Sequence, residues 1–165
     1  MGRRTVDQGD LDRPKRPPRH VRRSFDVTVE AEAMRAVRKQ VEAFARERGF
    51  DRAQVGDLSL AVAEALFNAM EHGSSGSGSV KLEIDYAGGS LEIAVEDDGG
   101  IDSREQAQTR VAQMREVLAR ECTGGVPEAD LERGRGLFLI RARMDQVRVE
   151  CAGQHGVRMI MVKRR

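Results

Sequence analysis

The chain has 165 residues, enough for one domain with a substantial core and short for two. Apolar residues make up 39% and charged residues 33%, with 4% aromatic and no Trp, so the core must rest on Val, Leu, Ile, Met and Ala. No run approaches the roughly 18 apolar residues of a membrane helix, the N-terminus lacks the apolar stretch of a secretory signal, and Cys122 and Cys151 have no metal-ligand spacing, so the expectation is a cytoplasmic protein with reduced thiols.

The net charge of +1 conceals an asymmetry. Residues 1–23 carry eight Lys and Arg against three Asp, with three of the four prolines. Such a segment buries too little apolar surface to offset its ordering entropy, which predicts a basic, disordered tail and a folded domain over residues 24–165. The tail has no aromatic side chain for base stacking, and the rest of the chain is net acidic. Direct nucleic-acid binding is therefore a poor reading.

Phe25, Val27 and Val29 alternate with polar residues and predict a short strand. Met34, Val37, Val41 and Phe44 follow helical spacing and predict a helix ending near Gly49. A second helix begins at Asp51 or Gln54, buries Val55, Leu58, Val62, Ala65, Leu66 and Ala69, and stops at Gly73. Val80, Leu82, Ile84 and Tyr86, then Gly88-Gly89, then Leu91, Ile93 and Val95 predict an antiparallel hairpin. Ser103 and Gln106 offer a capping box for a third helix with Ala107, Val111, Met114 and Leu118 inward. Residues 121–135 read as a long loop, which in a compact domain tends to be a lid. A fourth helix from Gly136 or Leu137 to near Met144 and two strands, roughly 146–151 and 157–163, complete the order β-α-α-β-β-α-α-β-β. Paired hairpins rather than βαβ crossovers predict a largely antiparallel sheet with helices on one face.

Three positions carry chemistry. Glu64, Asn68 and His72 recur every four residues and stack on one face of the second helix, beside its buried stripe. An amide oxygen is a hard ligand for Mg²⁺, and a carboxylate one turn away can orient or deprotonate a nucleophile. Asp97-Asp98-Gly99-Gly100 follows a strand. A carboxylate there can accept the exocyclic amine of adenine, with glycine beside it for close approach of the base. Gly134-Arg135-Gly136-Leu137 precedes a helix, whose free N–H groups favour phosphate, and Arg133 and Arg135 can add charge-assisted bonds.

The order of these three elements is that of the N box and the two glycine boxes. The chain resembles the GHKL ATPase superfamily and, within it, the bacterial anti-sigma-factor serine/threonine kinases. The supporting text is Leu60-Ala-Val-Ala-Glu64-Ala-Leu-Phe-Asn68-Ala and Gly134 through Val147, followed by the final hairpin. The resemblance covers about residues 24–165. It implies a two-layer α+β sandwich of Bergerat type, with a mostly antiparallel, mixed sheet.

It also implies that Asn68 holds Mg²⁺, that Glu64 polarises the attacking hydroxyl, and that Asp97 and Gly99 take the adenine. Arg133, Gly134, Arg135, Gly136 and Leu137 would hold the phosphates of ATP. The implied partners are an antagonist protein that receives the phosphate and a sigma factor that is sequestered. A homodimer through the first strand and helix would fit the same family. His72 is given no catalytic role, and Met144-Asp145 reads as a structural helix end.

One departure stands out: the first glycine box is a residue short. Either Asp97 is the base ligand and the loop is trimmed, or Glu96 takes that place. Asp97 is preferred, because it continues the inward register of Val95. The trimmed loop motivates an alternative, a nucleotide-binding switch that holds a partner without phosphorylating it.

Overall fold

A computed structural model describes residues 20–28, 30–73, 79–99, 104–119 and 135–165. The elements follow the expected order: β1 (His20–Thr28), α1 (Ala31–Glu47), α2 (Arg52–Gly73), β2 (Ser79–Ala87), β3 (Ser90–Asp97), α3 (Arg104–Ala119), α4 (Arg135–Arg143), β4 (Gln146–Ala152) and β5 (Gly156–Arg164). The strands form one sheet in the order β1-β2-β3-β5-β4. Every adjacent pair is antiparallel, so the sheet is not mixed.

Period-two alternation gives the sheet two different faces. Val27, Val80, Leu82, Ile84, Leu91, Ile93, Val95, Met159 and Met161 are buried on one face. They join Val41, Phe44, Leu58, Val62, Leu66, Val111, Met114 and Ile140 of the helices in a single core. Fully burying each of the larger side chains contributes about 1.5–3 kcal/mol. The opposite face carries an ion-pair ladder: Arg158 meets Glu83 and Glu96, and Arg22 meets Asp85. An antiparallel sheet covered on one side and wet on the other is the expected two-layer solution.

Local chemistry sets the boundaries. Asp51 Oδ1 accepts the N–H of Gln54 at 2.8 Å while Gln54 Oε1 accepts that of Asp51 at 3.0 Å. This reciprocal box makes Asp51 the cap of α2, which settles where that helix begins. The box expected at Ser103 lies outside the described residues. Gly88 and Gly89 both have positive φ, 58° and 86°, as a two-residue hairpin with the right twist requires. In α3 the four buried residues are Ala107, Val111, Met114 and Leu118, as the spacing predicts.

β1 corrects one expectation. Residues 20–23 belong to the sheet, not to a tail, and pair with Ala87 to Ile84. Val21 packs against the core, and Arg22 donates to Asp85 at 2.7 Å and 3.0 Å. A basic composition hid a strand whose charged side chains have cross-strand partners. Residues 1–19 lie outside the described residues.

Candidate functional site

Glu64 and Asn68 are half-buried on α2, one turn apart, while their neighbours Ala65 and Ala69 sit in the core. The start of α4 lies directly on them. A Cβ placed on Gly136 would stand 2.7 Å from Glu64 Oε2 and 3.5 Å from Asn68 Nδ2. Glycine is therefore what allows the first turn of α4 to approach the two polar side chains. Asn68 Nδ2 is buried and has no hydrogen-bond partner among the described residues. Rotation of the amide places Oδ1 at the same point, so the position suits either a donor or an oxygen ligand.

Asp97 ends β3 opposite Val80 and points into the core layer. Its side chain is 2% exposed. Oδ1 accepts the N–H of Val157 at 3.1 Å, and Oδ2 lies 3.1 Å from Arg110 Nη1. Burial pushes the Asp97 carboxyl above the ordinary carboxylate value, with Arg110 and the Val157 N–H opposing that rise. The Arg110 contact is poorly aligned, and Nη1 makes no hydrogen bond of good geometry, so its attraction is mainly charge on charge. Arg110 Nη2 also donates to the Asn68 carbonyl at 3.3 Å. One guanidinium thus spans the N-box helix and the end of β3.

Register separates the two acids of the first glycine box. Glu96 faces the wet side of the sheet and accepts from Arg158 at 2.7 Å, so Asp97 is the inward acid. Gly99 has φ +82°, and a Cβ there would fall 1.9 Å from the carbonyl oxygen of His155. Gly156 is the reciprocal case, with its Cβ position 2.2 Å from the carbonyl of Asp97. These two glycines press the end of β3 against the β4–β5 turn.

Leu137 stands in the first turn of α4 and turns its side chain inward. That side chain is buried in the core beside Ile140, because α4 needs an apolar stripe facing the sheet. Its backbone N–H lies in the first turn of α4, where helix N–H groups lack an intrahelical partner. Arg135 is exposed at the head of α4. Arg133, Gly134 and the 120–134 stretch lie outside the described residues, as does the side chain of His72. Sequence reasoning missed Arg110 altogether. Its only signal is a charge at the edge of the α3 stripe, next to Val111.

The three segments that carry chemistry meet around α2. Residues 27–163 match the histidine kinase-like ATPase domain family. The chain belongs to that family.

Among its relatives, the anti-sigma F factor of Clostridium novyi is 33% identical over 131 residues, covering 77% of this chain and 82% of the relative. A serine-protein kinase RsbW of Halalkalibacterium halodurans is 32% identical over 147 residues, covering 87% and 85%. Two solved structures share the fold. The SiaB–SiaC complex of Pseudomonas aeruginosa matches with a TM-score of 0.66 at 11% identity over 87% of this chain and 89% of that one. The RsbU and RsbW domains of a Mycobacterium tuberculosis protein match with a TM-score of 0.59 at 20% identity, covering 87% of this chain and 32% of that longer one. The GHKL-type sandwich expected from the resemblance is thus the fold of this family member. Among the described residues, no helix is long and apolar enough to cross a membrane.

Proposed function

We propose that this chain is an ATP-dependent serine/threonine protein kinase and anti-sigma factor, which phosphorylates an antagonist protein and sequesters a sigma factor. The observation that supports it most is the meeting of Gly136 with Glu64 and Asn68, which brings a carboxylate, an amide and a helix N-terminus to one point.

The residues fit a magnesium–nucleotide. Asn68 offers a buried Nδ2 with no partner among the described residues, and Gly136 leaves a cradle that a methyl group would fill. Among the described residues no cluster of His, Cys, Asp or Glu forms a metal site of its own. Asn68 would hold Mg²⁺ through its amide oxygen. When bound, ATP supplies a γ-phosphoryl group whose bond to the β-phosphate oxygen breaks as the partner's hydroxyl oxygen bonds to phosphorus. Glu64 takes the proton from that hydroxyl. The N–H groups of Gly136 and Leu137 would bind the phosphates, and Arg135, with Arg133 and Gly134 before it, would add charge and close approach. Asp97 accepts the exocyclic amine of adenine, with Gly99 holding the local backbone.

Two surfaces suit protein partners. A groove between α1 and α2, lined by Val55, Leu60 and Ala63 and rimmed by Arg38, Arg46 and Arg52, suits a segment carrying both apolar and acidic side chains. β1 is an edge strand of nine residues, where a second copy can pair to give the homodimer.

Calorimetric titration with ATP in the presence of Mg²⁺ tests the reading. The wild type is expected to bind, and Asn68→Ala to lose the Mg²⁺-dependent part. Glu64→Ala is expected to bind ATP yet transfer phosphate to an antagonist at least about 100-fold more slowly. If the wild type binds ATP but transfers nothing, the switch without kinase activity replaces the kinase. An absence of binding removes both.

A further inference from the structure

Asp97 is the acid to which the proposed function gives the base, yet it is sealed. Val157 occupies one carboxylate oxygen and Arg110 the other, and the side chain is only 2% exposed. The Arg110 side chain is itself 13% exposed and is anchored at its second terminal nitrogen on the Asn68 carbonyl. The guanidinium covers the Oδ2 side of this sealed carboxylate, where an adenine amine would have to bond.

We propose that Arg110 is a latch on the base site, and that its guanidinium leaves Asp97 when an adenine amine takes its place. The inference rests on the reading of Asp97 as the base anchor. Arg110 is thus a positioning residue, acting on the nucleotide through Asp97. A buried carboxylate without a partner is costly, so the free protein needs a cation on Asp97. The same requirement makes the cation a competitor of the base. The weak alignment of the Asp97–Arg110 contact suits an interaction that must open.

The test compares wild type with Arg110→Met, titrated at pH 8 with adenosine, with Mg²⁺–ATP and with Mg²⁺–tripolyphosphate. Removing the competitor is expected to tighten adenosine and ATP by the same factor, about tenfold for a coupling of ordinary size. Tripolyphosphate has no base and is expected to bind equally to both proteins. In an Asp97→Asn background the Arg110→Met gain is expected to vanish. Unchanged or weaker adenosine binding by Arg110→Met, while wild type binds ATP, overturns the latch and leaves the proposed function standing. Failure of both proteins to bind ATP overturns both.

The unaltered protein supplies a second measurement should the variant fold poorly. The Arg110 side-chain N–H signals are expected to be protected from solvent exchange in the free protein and to lose that protection when adenosine is added. Protection that persists at saturating adenosine refutes the latch.

Discussion

Replacing Gly99 by Ala tests the most demanding backbone contact of the site. The residue has φ +82°, a conformation that costs a residue with a Cβ about 1–3 kcal/mol. The new Cβ would stand 1.9 Å from the carbonyl oxygen of His155, 2.1 Å from its carbon and 2.6 Å from the nitrogen of Gly156. These are backbone atoms of a strand hairpin, so no rotamer change relieves the overlap. Forced displacement of packed elements adds roughly 1–3 kcal/mol. The expected loss is about 2–6 kcal/mol, a large share of the roughly 5–15 kcal/mol that holds a domain folded.

Two other glycines serve as controls. Gly153 has φ +55° and nothing within 4 Å of its Cβ position, so Gly153→Ala is expected to cost only about 1 kcal/mol. Gly56 lies inside α2 with open space around it, so Gly56→Ala is expected to gain about 0.5–1 kcal/mol. Urea unfolding of the three variants should rank them Gly56→Ala, wild type, Gly153→Ala, Gly99→Ala, from most to least stable. A Gly99→Ala midpoint equal to that of Gly153→Ala would show that the β4–β5 turn yields freely, and the close-approach account would fail. The functional consequence is testable on the same sample. Shifting Gly156 also moves the Val157 N–H that satisfies Asp97, so ATP affinity should fall with stability.

Gly136→Ala should behave in the opposite way. Its Cβ meets the mobile end of Glu64, so thermal stability is expected to stay within about 1 kcal/mol while phosphoryl transfer falls by about 100-fold; equal losses in both assays would point to a structural glycine instead. Asp51→Ala removes half of the reciprocal cap of α2 and is expected to cost about 1 kcal/mol in denaturant unfolding, with the slope unchanged. Acid should weaken the wet face of the sheet. Hydrogen bonds from Arg158 and Lys81 hold Glu83 below its ordinary value of 4.5, and Arg22 holds Asp85 below 3.8. Their contribution is present above those ordinary values and is lost as pH falls through the depressed ones, so a plot of the thermal midpoint against pH should drop there, and Glu83→Gln should flatten the drop. Asp97 runs the other way: its raised carboxyl makes the folded state take up a proton first as pH falls.

Much of the fold is legible because its signals are local. The α3 stripe is a helical period, and the β2–β3 hairpin is a period of two broken by two glycines. Both patterns state which side is dry without reference to any distant residue. β1 was partly hidden because its evidence lies on another strand. Arg22 looks like tail composition until Asp85 is placed opposite it, 63 residues away. The candidate site divides in the same manner. The spacing of Glu64 and Asn68 places them on one face of a helix, and the alternation from Val95 turns Asp97 inward.

The order of elements, the faces they bury and the family to which the chain belongs are legible along the chain, because periodicity, turn glycines and box order are written in neighbouring residues. That Gly136 rests on Glu64 and Asn68, that Gly99 serves the backbone of His155, that Leu137 is core and that Arg110 covers Asp97 is visible only in the folded molecule. Each of these depends on how two elements distant in sequence approach one another. That approach is governed by packing volume and by the pairing of buried charge, and neither is a property of a single segment.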